Sequence, residues 1–398
     1  MNIILFDVPE VLENLLPLTF TRPVADFRIG ITTIRQKWEQ LLPGAYSYLT
    51  ADYLSEKYAM TTAGGKNIFI AGHIIPEYSD SFRDAIASLA EGEALISAGE
   101  TVAYCGDADG LKSGMFAAEK TWEGSLTAIH HVYDIFLNNG AQIEKDFAQL
   151  DLSDSQPLSD TNMLVGDPVD AAGRPKLYIA PGATVEGAVI NVKSGPVYIG
   201  RDAEVMEGCC LRGPVALCEH SVFNMGTKVY PATTVGPWSK MGGELNNAVI
   251  FGYSNKAHDG FLGNAVVGEW CNLGADCVAS NLKNDYSKVR VWNYATHRFD
   301  RTDLQFCGLI MADHSKAGIN TMFNTATVVG VGCNIHGSGF PRTFIPSFSE
   351  GGAAGFTAVP LKKFFDIAER VMARRHKELS DADRRMFEEI YRLSETYK

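Results

Sequence analysis

The chain has 398 residues, 46% of them hydrophobic and 21% charged, with a formal net charge of −12. That length allows two or three domains with cores of their own, and the composition is that of a globular protein rather than a disordered or fibrous one. The negative balance argues against general binding to nucleic acid or to an anionic membrane, so an anionic ligand has to be met by a local basic cluster. In chain order, "MNIILFDVPE" meets charge at Asp7, too early for a signal peptide, and no run of about 18 apolar residues exists elsewhere. Eight cysteines without a CxxC pair read as reduced, packed thiols, and the expected location is cytoplasmic. Residues 1–165 alternate short apolar runs ("NIILF", "NIFIAG", "ALISAG", "TVAYCG") with helix-like stretches ("TIRQKWEQLL", "FRDAIASLAEG"). This pattern predicts an α/β domain on a mainly parallel sheet. The polar stretch "DLSDSQPLSDTN", 151–162, marks a boundary. Over 176–350 helical periodicity gives way to dense Gly and Asn. After Pro360 it returns, predicting helices over 360–398, the second opening on a Ser-x-x-Asp start signal.

The middle segment has a period. Ile199, Val205, Leu211, Leu217, Phe223, Val229 and Val235 recur at steps of six. Four residues after each of the first six stand Ala203, Cys209, Val215, Ser221, Thr227 and Thr233, all small or β-branched. A second run places Phe261, Val267 and Leu273 before Ala265, Cys271 and Cys277. A six-residue repeat builds a parallel β-helix whose short strands each point one large and one small residue inward, with Gly, Asn or Asp at the corners. An antiparallel sandwich would alternate with period two instead. Cys271 and Cys277 fall on inward positions, which favours packing over catalysis for both.

Within this segment "SNKAHDGFLGNAVVGEWCNLGADCVASNLKNDY", 254–286, resembles without gaps the catalytic coil of the left-handed β-helix acyltransferases. The resemblance is to the acetyltransferase domain of the bifunctional N-acetylglucosamine-1-phosphate uridylyltransferase/glucosamine-1-phosphate acetyltransferase family, and it is specific over about 35 residues. It implies a left-handed parallel β-helix, a homotrimer with clefts between neighbours, and acetyl-CoA as cosubstrate. It makes His258 the general base that takes a proton from the attacking amine. Asn272 and Asn281 then line the acceptor site, and Ala275 lies where backbone groups meet acetyl-CoA. The chemistry is sound, because an amine attacking a thioester must lose a proton and imidazoles titrate near neutral pH. Phe261 stands where the family usually has tyrosine, and Asn246 and Asn247 stand where basic residues hold the sugar phosphate. Lys256, Lys283 and Lys288 can supply that charge from other corners, which points to a different amino sugar. Lys316, in "DHSKAGINT", is a candidate for the CoA phosphates. The bland alternative is that His258 caps a turn and Lys316 is solvated.

The first domain is similar, more loosely, to sugar-phosphate nucleotidyltransferases. "LLPLTFTRPVADFRIGITTIRQKW", 15–38, looks like their Pro-Leu-Thr and Thr-Arg-Pro opening. The resemblance implies a Rossmann-like nucleotidyltransferase domain using UTP and Mg²⁺, with Thr21, Arg22 and Arg28 at the nucleotide or sugar phosphate. The family's Gly-rich loop is replaced by "FDVPEVLEN", its lysine by Val24, and His73 stands where a magnesium-binding aspartate is usual. Without the loop a phosphate is left to Arg22, Arg28 or Arg35, and the metal ligands are unknown. A zinc site in the β-helix is disfavoured, since His258, His297, His314 and His336 are scattered. The expected protein is a sugar-nucleotide enzyme acting on small molecules, with two alternatives: a first domain that only binds or scaffolds, or a non-enzymatic trimeric binding protein.

Overall fold

The computed structural model describes residues 1–398. Contacts divide the chain into two units. Met1–Leu15, Thr21–Phe27 and Thr32–His131 form the first, while Leu16–Phe20, Arg28–Ile31 and Val132–Lys398 form the second.

In the first unit, Asn2–Phe6 pairs in parallel with Ala45–Leu49 on one side and Asn67–Ala71 on the other. A central strand of this kind is covered on both faces, which is why "NIILF" is apolar throughout and buried along its whole length. Helix Ile34–Leu41 starts where Thr33 and Gln36 close a reciprocal cap, and helix Asp80–Ala87 starts under Ser79. Glu100–Cys105, however, runs antiparallel to both its neighbours, so the sheet is mixed on that side. The reason is local. Ala98 (φ 49°) and Gly99 (φ 85°) form a two-residue turn with both residues left-handed, and that turn folds "ALISAGETVAYC" back on itself as a hairpin.

The second unit contains a parallel β-helix. Leu177–Ile179, Val197–Ile199, Val215–Leu217 and Thr233–Val235 stack in register as one wall. Thr184–Val185, Glu204–Val205, Val222–Phe223 and Lys240–Met241 stack as the next. Every large residue of the first hexapeptide run, and every small one, lies buried inside. The second run slips by one residue at its start: Leu262 points inward, and Phe261 pairs with Glu244 on the outer surface. The slip arises because the turns shorten. Leu217 sits under Val235 three steps of six away, but Val229 sits under Leu245 and Met241 under Lys256.

One corner carries large residues rather than the expected Gly, Asn or Asp. His220, Trp238, Tyr253, Trp270, His314 and Phe348 all adopt positive φ there. Left-handed backbone is costly for bulky side chains, and here ring stacking offsets it. His220 lies over Trp238 at 4.2 Å and Tyr253 over Trp270 at 4.3 Å. Helices Leu361–Ala373 and Asp381–Ser394 cover the far end of this column. The second starts on a capping box between Ser380 and Asp383, as its start signal predicts. Phe364 meets His314, Phe348 and Phe387 edge-on. Residues 285–306 leave the β-helix as an excursion containing the hairpin Arg290–Asn293 with Arg298–Arg301, for which the hexapeptide period holds no signal.

Helix Asp134–Gln149 docks against the β-helix through buried polar contacts. Asn139 donates to Ala232 O (2.6 Å) and accepts from Gly30 N (2.7 Å), while Asp146 accepts from Ile31 N (2.8 Å). All eight cysteines are free, seven buried and Cys210 exposed. No helix is long and apolar enough to cross a membrane.

Candidate active sites

His258 sits on an exposed corner that follows the two-residue strand Asn255–Lys256. The corner is thin because Gly260 (φ 117°) tolerates no side chain: a Cβ there would collide with the carbonyl of Cys277 one turn on. Three side-chain hydrogen bonds pin it. Asn224 Nδ2 donates to Ala257 O at 2.7 Å, and Lys256 Nζ donates to Gly242 O at 3.0 Å and His258 O at 2.9 Å. The backbone under His258 is therefore fixed while its imidazole stands in solvent, as a base that must meet a substrate amine requires.

The same bonds correct one expectation. Lys256 is only 1% exposed and its ammonium is committed to two carbonyls, so it holds the corner rather than contacting an acceptor. Burial pushes its pKa down to about 8. Lys316 is similar, donating to Trp270 O (3.1 Å) and His314 O (2.6 Å), with its pKa lowered by burial to about 8. It nevertheless lines a cavity of about 340 Å³ beneath helix Leu361–Ala373, together with Asn255, Asn272 and Phe364. Asn272 stacks between Asn255 and Lys316 in the ladder, so its side chain belongs to this face. Asn281 is elsewhere, donating from Nδ2 to Asn264 Oδ1 at 2.8 Å. Lys283 donates to Lys288 O (3.1 Å) at the root of the excursion. Ala275 follows the His258 corner by one turn, and Asp276 N donates to Asp259 O at 3.0 Å. One chain thus brings His258 and Ala275 to one edge, Asn272 and Lys316 to a face, and Asn281 to another corner. Cys271, its pKa raised by burial to about 12, is a packing thiol.

In the first unit the link from Asn2–Phe6 to helix Pro9–Asn14 is only Asp7 and Val8, too short to wrap a phosphate. The Asp7 carboxylate accepts from Val24 N (3.0 Å) and Thr50 Oγ1 (2.6 Å). Burial, reinforced by nearby Asp26, pushes its pKa up to about 7 against those two hydrogen bonds. The folded chain therefore holds a proton that the unfolded chain releases near pH 4. This group's contribution to stability is full below pH 4 and is lost as pH rises through about 7. Asp7→Asn keeps an acceptor oxygen for Val24 N, presents an amide donor to the Thr50 hydroxyl, which can accept, and never ionises. In urea unfolding it should exceed the wild type at pH 8 by about 2–4 kcal/mol, a gain that shrinks toward pH 4; an equal difference at both pH values contradicts this.

Of the three candidate arginines, Arg28 is not free for a phosphate. It lies in the second unit, buried, with Nε donating to Phe251 O (3.2 Å) and Nη1 to Ile31 O (2.5 Å). Arg35 is held by Glu39 (2.7 Å) and the hydroxyl of Tyr48 (2.8 Å). Arg22 and Thr21 are buried in the first unit, the carbonyl of Thr21 accepting from Tyr58 at 3.4 Å. The sequence reading did not assemble one cluster: His73, Glu100 and His130 converge, with His73 Nε2 at 3.0 Å and His130 Nε2 at 3.2 Å from the two carboxylate oxygens. Only His73 carried a signal, the glycine before it at a strand end.

Residues 3–154 match a family described as sugar nucleotidyl transferase. The chain is 30% identical over 95 residues to the bifunctional protein GlmU of Methanocaldococcus jannaschii, covering 24% of this chain and 22% of that protein. It is 29% identical over 149 residues to a bifunctional sugar-1-phosphate nucleotidylyltransferase/acetyltransferase of Sulfurisphaera tokodaii, 37% of each chain. The matched segments thus span less than two fifths of these relatives. The chain thus joins a segment similar to sugar nucleotidyltransferases to a parallel β-helix. Over those segments the chain is similar to bifunctional enzymes that carry nucleotidyltransferase and acetyltransferase names.

Proposed function

We propose that the protein serves sugar-nucleotide biosynthesis by acetylating the amine of a hexosamine 1-phosphate with acetyl-CoA on its β-helix. The observation that carries this reading is the His258 corner, an exposed imidazole on a backbone pinned by Lys256 and Asn224. The substrate amine places its proton toward the ring and its lone pair toward the thioester carbonyl. Proton transfer to His258 accompanies attack, and the tetrahedral intermediate collapses with departure of the CoA thiolate. No covalent enzyme intermediate is needed, because the thioester is already activated. Coenzyme A release that depends on an amino-sugar phosphate tests the reading.

The scattered placement of Asn272, Asn281 and His258 supports a second element, a homotrimer in which neighbouring chains complete each site. Two large apolar side chains lie exposed near the His258 edge, Met225 at 72% and Ile319 at 71%, a pattern of surface that assembly covers. Light scattering at micromolar concentration should return three times the 43.4 kDa chain mass; a monomer contradicts it.

For the first unit we propose nucleotidyl transfer from an NTP, UTP by preference, to a sugar 1-phosphate, with Arg22 and Thr21 nearest the phosphates. The short Asp7–Val8 link and the commitment of Arg28 and Arg35 favour a second reading, a unit that binds a nucleotide or sugar without transferring it. Release of pyrophosphate from NTP and hexosamine 1-phosphate separates them: release that Arg22→Ala abolishes supports transfer, and no release with any NTP supports binding alone. The Mg²⁺ that the sequence resemblance implies does not fit the converging donors, since two imidazoles and one carboxylate are a poor set for a cation that prefers oxygen.

A further inference from the structure

The fold of the first unit gathers three donors that are far apart in sequence. His73 follows Gly72 at the end of strand Asn67–Ala71, and Glu100 opens the antiparallel strand Glu100–Cys105. Ile70 pairs with Ala103, so the beginning of the second strand lies beside the residues that leave the first. His130 arrives on a third segment: Thr127–Ala128 pairs with Ile74–Ile75, and Ile129 N donates to His73 O at 3.0 Å. The result is one carboxylate with an imidazole Nε2 on each oxygen, all ligand atoms lying within 4.8 Å of one another.

We propose that His73, Glu100 and His130 bind a transition-metal dication of the zinc type, in place of magnesium. The donor set decides the class. Imidazole nitrogen suits zinc, cobalt and nickel, whereas magnesium keeps oxygen ligands and water. Geometry supports a built site rather than a surface ion pair. The His73 ring is 2% exposed with Nε2 aimed at Glu100, and its Nδ1 has no partner, so burial of this ring is otherwise poorly compensated. Glu100 and His130 are partly exposed, which leaves one side open. Three protein ligands with open positions are the arrangement of a site that meets water or an anionic ligand, unlike the closed four-ligand structural site. The cluster also lies past the carboxyl end of a parallel strand, where open α/β sheets take their ligands.

The experiment reads metal uptake directly, so it does not depend on whether the unit releases pyrophosphate. Full-length protein stripped with chelator is titrated calorimetrically with ZnCl₂, alone and in excess MgCl₂, and its Co²⁺ form is followed by visible absorption. The expected result is one zinc per chain, undisturbed by magnesium. His130→Ala and Glu100→Gln, both at partly exposed positions and checked for unchanged circular dichroism, should weaken binding by at least about 10- to 100-fold and abolish the cobalt spectrum. Zinc bound equally well by both variants, no zinc uptake by the wild type, or displacement of zinc by equimolar magnesium overturns the proposal.

Discussion

His258→Ala should lower the turnover of acetyl transfer by about 10²- to 10⁴-fold, the usual contribution of a positioned base. The affinity for acetyl-CoA should stay within about twofold, because the imidazole meets the amine and not the cofactor. The fold should survive, since the ring is exposed and the backbone of the corner is held by Lys256 and Asn224 rather than by the histidine itself. This separates the two readings of the residue. A turn-capping histidine would change stability and leave turnover alone; a general base does the reverse. A variant that keeps more than half of the wild-type turnover returns His258 to a structural role.

Phe364→Ala should destabilise the second unit by about 3–5 kcal/mol, the cost of truncating a fully buried phenylalanine. Its ring is 3% exposed and packs edge-on to Phe348 at 5.1 Å and Phe387 at 4.8 Å, joining the C-terminal helices to the last rung of the corner column. Gly332 leaves no slack beneath it, for a Cβ there would come within 2.9 Å of the ring. The same ring lines the cavity that holds Asn272 and Lys316, so truncation enlarges that cavity. Denaturant unfolding followed by a probe in the second unit measures the loss. A change below about 1 kcal/mol would mean that the helices are attached loosely and that the corner column does not rely on them.

The β-helix was legible because its signal is periodic: one inward position recurs every six residues from Ile199 to Val235, and register follows from period. The signal faded where turns shortened, which is why Phe261 read as inward and Leu262 was passed over. Corner chemistry was half legible. Glycine marks tight corners, but Trp238, Tyr253 and Trp270 adopt the same backbone through stacking, a property of the neighbouring turn that no local window contains. The exposed corner that carries His258 lies within the long motif of residues 254–286. The fate of Lys256 was not legible, since a lysine beside a candidate base reads equally as ligand or as brace until the carbonyls of Gly242 and His258 are in place. Arg28 likewise looked phosphate-facing within "TRPVADFRIG" but turns to the carbonyls of Phe251 and Ile31. The His73, Glu100 and His130 cluster depends on strand register and a hairpin, both tertiary features, so sequence distance concealed it.

We propose that this β-helix carries an acetyltransferase whose base is His258. The most direct measurement is the rate of free coenzyme A release from acetyl-CoA with the full-length protein across a panel of hexosamine 1-phosphates carrying a free amine. Release is expected with at least one member, absent with the corresponding hydroxyl sugar, and reduced by about 10²-fold or more in His258→Ala. No release above the protein-free rate with any amino sugar phosphate, or release that His258→Ala leaves intact, contradicts it.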